Sequence, residues 1–328
     1  MKALITGGLG FIGSNFILQL LEKNQDIQIT NVDAEVYGSN YQNLVKIKND
    51  IKYKYVKGNI NDIKLMENLI KKNDVIINFA AESFVDRSIS NAIPFLESNV
   101  NGVFTILELI KKNTKRFVHI STDEVYGSLK KGSAIEETRF NPSSPYSATK
   151  AAAELLINSY VKTYDSDCLI TRCTNNYGPR QFAEKLIPKT IMLAYYEKEI
   201  PIYGTGKNIR DWLYVEDHCL AIEKILHDGK KGESYNISGN NEIDNITIVK
   251  EILALMNKSE DLITFVEDRP GHDFRYSMES KKIRNNLKWS HEVDFKEGIK
   301  KTVKWYLDNK EWWKDISKEV FSSAPWKN

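Results

Sequence analysis

Short, mostly apolar runs alternate with longer stretches of helical spacing through the first half of the chain. Residues 2–6, 27–32, 53–56, 75–81 and 117–121 read as strands buried on both faces, as in a parallel sheet. Between them, Phe16 to Leu21, Asp62 to Ile70 and Pro94 to about Leu109 carry apolar residues on one helical face. Pro94 and Ser144-Pro145 suit first helical turns, the latter opening a helix from Tyr146 to Tyr164. Strand, helix, strand repeats through Cys173, which predicts an α/β unit, a doubly wound parallel sheet. After Tyr177-Gly178-Pro179 the rhythm changes to helices near Leu186 to Glu197 and Val215 to Leu226, with turns at Gly204 and Gly206. A strand at Ser234 to Ile237 is expected to return to the first unit. An amphipathic stretch, Phe295 to Leu307, precedes Trp312, Trp313 and Trp326, expected to pack the smaller C-terminal lobe. The division expected is 1–175 for a nucleotide-type unit and 176–328 for a substrate lobe, with a soft boundary.

Composition changes this picture little. A formal net charge of +2 over 328 residues gives no reason to invoke nucleic acid or an anionic membrane as partner. The three cysteines, Cys168, Cys173 and Cys219, have no metal-ligand spacing, and an odd count argues against a disulfide framework. No apolar run approaches membrane-spanning length, and the chain enters a strand at once, so no signal peptide is expected. The expectation is a cytoplasmic protein without a metal.

Candidate chemistry gathers at strand ends, where open parallel sheets bind ligands. Residues 2–6 run into Gly7-Gly8-Leu9-Gly10-Phe11-Ile12-Gly13 and then a helix. Glycines there permit a tight turn and close approach of a pyrophosphate to helix N–H groups, a Rossmann-type arrangement. Asp33, twenty positions beyond Gly13, suits the adenosine ribose hydroxyls and favours NAD over NADP. Asn59, beside Ile60, is expected to accept from the adenine amino group, and the small Ala80 and Ala81 to let a cofactor lie against backbone. Tyr146 and Lys150 share a helix face, and a nearby ammonium should favour phenolate and make the tyrosine a base. The apolar run Phe117 to Ser121 ends in Thr122, Asp123 and Glu124. Neighbouring acids can serve one pocket only if the chain leaves extended geometry after Thr122, for which Val125-Tyr126-Gly127 offers a bend. If C4 of a sugar is oxidised, the C5 proton becomes acidic; Glu124 then suits its removal, and Asp123, kept protonated, suits the leaving C6 hydroxyl. A 4-epimerase would not need that pair. Lys185, Arg210 and Arg269 are candidate diphosphate partners.

These segments, together with Ala80 to Ser88, Asn175 to Pro179, Glu184 to Pro188, Arg210 to His218 and Asp268 to Asp273, resemble the extended short-chain dehydrogenase/reductase family, and within it the dTDP-glucose 4,6-dehydratase group. The resemblance implies a 4,6-dehydratase, a lyase that uses NAD and acts on a nucleoside-diphosphate-glucose, with dTDP-glucose favoured, as a homodimer built from paired helices. A 4-epimerase, a decarboxylase and a non-catalytic NAD-binding regulator are the alternatives. It implies catalytic roles for Thr122, Asp123, Glu124, Tyr146 and Lys150. Cofactor contacts are implied at Gly7, Gly10, Phe11, Ile12, Gly13, Asp33, Asn59, Ile60, Ala80, Ala81, Ser83, Asn99 and Asn175, besides Tyr146 and Lys150. Substrate contacts are implied at Ser83, Thr122, Asn175, Lys185, Leu186, Pro201, Tyr203, Arg210, Asn245, Arg269 and His272. Four positions depart from the usual pattern: Phe84 for His, Asn59 for Asp, Leu9 for a smaller residue, expected to crowd the pyrophosphate, and Phe274 for an Arg beside the substrate.

Overall fold

A computed structural model describes residues 1–111, 115–316, 318–322 and 324–327. The strands in chain order are β1 Lys2–Thr6, β2 Gln28–Asp33, β3 Tyr53–Lys57, β4 Val75–Asn78, β5 Arg116–Thr122, β6 Cys168–Cys173, β7 Asn175–Tyr177, β8 Ile200–Tyr203, β9 Ile209–Tyr214, β10 Ser234–Ile237, β11 Glu242–Asp244 and β12 Ile263–Val266. Seven of them form one sheet in the order β10-β6-β5-β4-β1-β2-β3, with every neighbouring pair parallel. Both faces are covered: Phe16, Ile17, Leu20 and Ile222 pack one face, and Met66, Ile106 and Ile157 the other. Strand order reverses between β1 and β4, and the crevice at that point opens at the strands' carboxyl ends.

The anticipated return of Ser234 to Ile237 takes place, Ile237 pairing with Cys173 on β6. The helix Val215–Asp228 that precedes it packs on Phe11–Lys23, so the later half of the chain helps to cover the first sheet. The rest of that half builds two small sheets, β11-β9-β7 around Tyr177, Ile191, Trp212 and Ile299, and β12-β8 around Ile202, Val249 and Leu253. The tryptophans pack as expected: Trp313 lies between Tyr195 and Tyr196, Trp326 sits edge-on to Tyr203, and Trp312 donates to Asn43 Oδ1 at 2.8 Å, tying the C-terminal segment to the first unit. No helix among the described residues is long and apolar enough to cross a membrane.

Two elements differ from the sequence reading. The strand expected over 75–81 stops at Asn78, and Phe79 to Ser83 peels away to line the crevice. The helix expected from Pro94 to Leu109 is interrupted by a wide π turn at Leu96–Asn101 between Ile93–Phe95 and Gly102–Ile110. Asn99 lies in that turn with its side chain fully buried, donating to Glu82 O and Thr149 Oγ1 at 3.0 Å each and accepting from Glu82 N at 2.9 Å. π turns interrupt helices where a side chain must be re-aimed, and here Asn99 pins the departing loop.

Candidate active site

The crevice floor is the turn after β1. Gly7 sits at φ +70°, and a Cβ there would lie 2.5 Å from Ala80 N; one on Gly13 would lie 2.6 Å from Gly7 O. Only glycine fits either position, and the bare backbone leaves room above it. The helix Phe11–Lys23 begins at Gly10 without a side-chain cap, so its first N–H groups face the crevice unclaimed. Leu9, expected to crowd a pyrophosphate, does not: its side chain is fully buried in the core with Phe16 and Leu44. Its backbone N–H instead donates to Asp33 Oδ2 at 2.9 Å while Glu35 N–H donates to Oδ1 at 2.8 Å, which fixes that carboxylate at the end of β2. Asn59 is exposed at the rim, its Oδ1 accepting from Asn61 N at 2.9 Å, and Ile60 lies beside it.

A cavity of about 370 Å³ runs from Asp33, Asn59 and Ile60 past Gly7, Gly10, Phe11, Ile12, Gly13, Ala80, Ala81 and Ser83 to Thr122, Tyr146, Lys150 and Asn175. A second, of about 190 Å³, is lined by Leu186, Pro201, Tyr203, Arg210, Asn245, Arg269 and His272. The two share Phe84, Glu124, Asn175, Asn176, Gln181 and Lys185. Of the site residues named from sequence, Asn99 alone lines neither; full burial and saturated hydrogen bonds make it a support for the Glu82 loop rather than a contact. Phe274 also lies outside both, 56% exposed, while the neighbouring Arg275 pairs with Glu242.

At the junction the chain leaves β5 through a 3₁₀ turn, Asp123–Tyr126, capped by the Thr122 hydroxyl accepting from Glu124 N at 3.2 Å and closed by Gly127 at φ +69°. The bend begins two residues earlier than Val125 and brings both acids to the first cavity. Asp123 is 4% exposed, accepts one bond from Thr122 Oγ1 at 3.2 Å and leaves Oδ2 without a partner. Burial, then Glu124, raises its pKa well above the usual carboxylate value. Glu124 also has one unpartnered oxygen; burial raises its pKa, opposed by Arg269, Lys185 and Arg210. The protonated form of one acid is thus favoured while its neighbour faces three cations.

Burial, followed by Glu124, raises the pKa of the Tyr146 phenol well above its ordinary value. Lys150, expected to draw the phenol down, is itself lowered by burial to about 8. Its Nζ donates to Ile120 O at 2.6 Å and meets His119 Nε2 at 3.2 Å.

Around the second cavity, Lys185 donates to Ser83 O at 2.9 Å and lies 4.7 Å above the Phe84 ring. Phe84 completes an edge-to-face trio with Tyr37 and Phe182. Arg269 pairs with Asp86 at 2.8 Å, which also accepts from Tyr203 Oη at 3.0 Å. Arg210, 5% exposed, finds only carbonyl oxygens and the face of Tyr276. A buried guanidinium without a carboxylate is costly unless an anionic ligand completes it. His272 Nδ1 meets Asp268 Oδ1 at 2.6 Å. Tyr37, Gln181, Phe182 and Tyr276 were not anticipated as lining residues. Tyr276 alone carried a signal, its place just beyond Asp273.

The sequence profile of the family described as GDP-mannose 4,6 dehydratase matches residues 4–302. A dTDP-glucose 4,6-dehydratase of Streptomyces niveus is 43% identical over 321 residues, covering 96% of each chain. The dTDP-glucose 4,6-dehydratase of Bacillus anthracis str. Ames, solved in complex with NAD, superposes with a TM-score of 0.91 at 46% identity, over 97% of this chain and 100% of that one. That of Streptomyces venezuelae, also with NAD bound, gives a TM-score of 0.94 at 40% identity with the same coverage. With these matches over nearly its whole length, the chain belongs to the extended short-chain dehydrogenase/reductase family, in its nucleotide-sugar 4,6-dehydratase branch.

Proposed function

We propose that the protein dehydrates dTDP-glucose to its 4-keto-6-deoxy product, with residues 1–175 holding NAD and 176–328 holding the nucleotide sugar. The observation that carries this reading is the pair Asp123 and Glu124, both lining the crevice with Tyr146, each with a buried oxygen that no protein group satisfies. The residues present suit NAD: the glycine cradle admits no side chain, the helix N–H groups are unclaimed, and the Asp33 carboxylate is preset. Held there, NAD would supply hydride chemistry, as acceptor at C4 and donor at C6, with no net consumption.

Tyr146 takes the C4 hydroxyl proton, and the Thr122 hydroxyl, turned from Asp123 Oδ1, donates to the sugar oxygen. Glu124 removes the C5 proton acidified by the new ketone, while protonated Asp123 gives its proton to the C6 hydroxyl, which leaves as water, and Glu124 returns its proton to C5 once C6 is reduced. Arg210 and Arg269 suit the diphosphate, and Lys185 lies where the cavities meet. An epimerase has no use for a protonated acid beside a base, which places that reading second. Incubation with dTDP-glucose and no added reductant should yield a product lighter by one water. Unchanged substrate, a stereoisomer or released carbon dioxide rejects the assignment.

The homodimer belongs to the same reading. Leu96, Phe104 and Leu155 are 50%, 46% and 61% exposed on the neighbouring helical segments 93–110 and 145–164, an apolar face suited to a second copy. Three free, buried cysteines suit the reducing cytoplasm.

A further inference from the structure

Behind Lys150 lies a buried chain of polar groups that the mechanism above does not use. Thr6 Oγ1 accepts from Ala80 N at 3.3 Å and donates its own proton to Asn78 Oδ1. Asn78 must therefore turn its NH₂ toward His119 Nδ1, 3.0 Å away. All three side chains are fully buried, so water does not compete for these bonds. An imidazole nitrogen that accepts carries no proton. Burial, and secondarily Lys150, holds the histidine pKa well below its ordinary value, so the ring is neutral and its single proton sits on Nε2. Nε2 faces Lys150 Nζ at 3.2 Å. An ammonium there would set N–H against N–H, whereas a neutral amine offers its lone pair and keeps an N–H for Ile120 O.

We propose that the chain Thr6–Asn78–His119 is a positioning device that fixes His119 as a donor to Lys150, disfavours the ammonium form of Lys150, and so sets how readily Tyr146 gives up its proton. The proposal rests on the dehydratase reading for the role of Tyr146, not for the hydrogen-bond logic. Other groups around the pair are accounted for. On their own helix, Glu154 is engaged by Arg172 at 2.6 Å; Cys173 on β6 and Glu154 both favour the charged lysine, and Asp123 and Glu124 from the turn after β5 disfavour phenolate. Burial outweighs the first two, and His119 opposes them as well.

The isosteric Asn78→Asp tests this, because a carboxylate only accepts. It would hold the ring proton on Nδ1, leave Nε2 as an acceptor and favour the ammonium form of Lys150. Phenolate at Tyr146 is then stabilised, and the acidic limb of kcat/KM with dTDP-glucose should move to lower pH by about one unit, a tenfold change in the ionisation constant. Thr6→Val, which frees Asn78 to turn its amide, should move the limb the same way by less, and it serves where the aspartate variant does not fold. In a His119→Phe background neither substitution should shift the limb, apart from the direct field of the carboxylate introduced at position 78, which Thr6→Val does not carry. A second readout needs no turnover: the phenolate absorbance of each variant against its Tyr146→Phe counterpart should shift by the same amount. An unmoved limb and absorbance, a shift to higher pH, or an equal Thr6→Val shift without His119 overturns the proposal. Wild-type protein that leaves dTDP-glucose unchanged overturns the dehydratase reading instead, and the absorbance series still decides this one.

Discussion

At the scale of single residues, the decisive contrast is between two acids that are neighbours in sequence. Burial, then Glu124, turns Asp123 toward the protonated form against Arg210; burial also raises Glu124, but Arg269, Lys185 and Arg210 draw it back toward carboxylate. Their shared place at a strand end was legible, because the apolar run Phe117 to Ser121 stops just before them. The state of Tyr146 was not. The i,i+4 spacing placed Lys150 on the same face, but burial acts on both groups at once and depends on residues from several strands and turns far apart in sequence. Replacing Glu124 by Gln keeps volume and hydrogen bonding while removing the base. Dehydration should fall by a factor on the order of 10² to 10⁴, the usual contribution of a positioned base, and the 4-keto sugar that still carries its C6 hydroxyl should appear in single-turnover product analysis. Full turnover by that variant would remove Glu124 from its role.

At the scale of elements, the helix Pro145–Tyr164 must hold Tyr146 and Lys150 in its first two turns, where helices fray. Three local devices secure it. Pro145 occupies the first turn, Ser144 and Ser147 form a reciprocal capping box with both bonds at 3.1 Å, and Ser88 Oγ accepts from Tyr146 N at 3.2 Å. Ser144-Pro145 was readable as a helix start from sequence, since a hydroxyl followed by proline suits a cap and first position. The π turn at Leu96–Asn101 was not readable, because its cause is the distant Glu82 loop that Asn99 must reach. Ser144→Ala should cost about 1 kcal/mol, visible as a lower urea midpoint at unchanged slope. Because the lost bonds lie close to the base, kcat should fall more than KM changes. A variant with native stability would mean that the Ser88 contact alone secures the helix start.

At the scale of the whole molecule, the two halves of the chain are less separable than the sequence rhythm suggested. β10 and the helix Val215–Asp228 belong to the later half yet complete the first sheet and its cover, and periodicity alone cannot reveal to which sheet a strand returns. His218 sits on that helix, fully buried, with Nδ1 at 2.9 Å from Asn176 Oδ1 and no partner for Nε2. Asn176 lines both cavities, so this histidine joins the packing of the halves to the site. Burial lowers its pKa from 6.5 to about 3. Above 6.5 the ring is neutral in folded and unfolded chains alike, and stability does not depend on it. Below 6.5 the unfolded chain takes up a proton that the folded one refuses until about pH 3, so stability falls as the solution is acidified through that window. The slope from one such histidine approaches about 1.4 kcal/mol per pH unit. Between pH 6.5 and 5 the wild-type protein should therefore lose about 2 kcal/mol through His218. The raised carboxyls Asp123 and Glu124 work in the opposite direction, binding protons more tightly when folded, so the total change with pH mixes both signs. Comparison with His218→Gln isolates the histidine: the variant should start less stable at pH 7 but lose about 2 kcal/mol less by pH 5 in urea unfolding. Parallel stability curves for the two proteins would show that His218 takes up its proton while folded, with the helix yielding to let it do so.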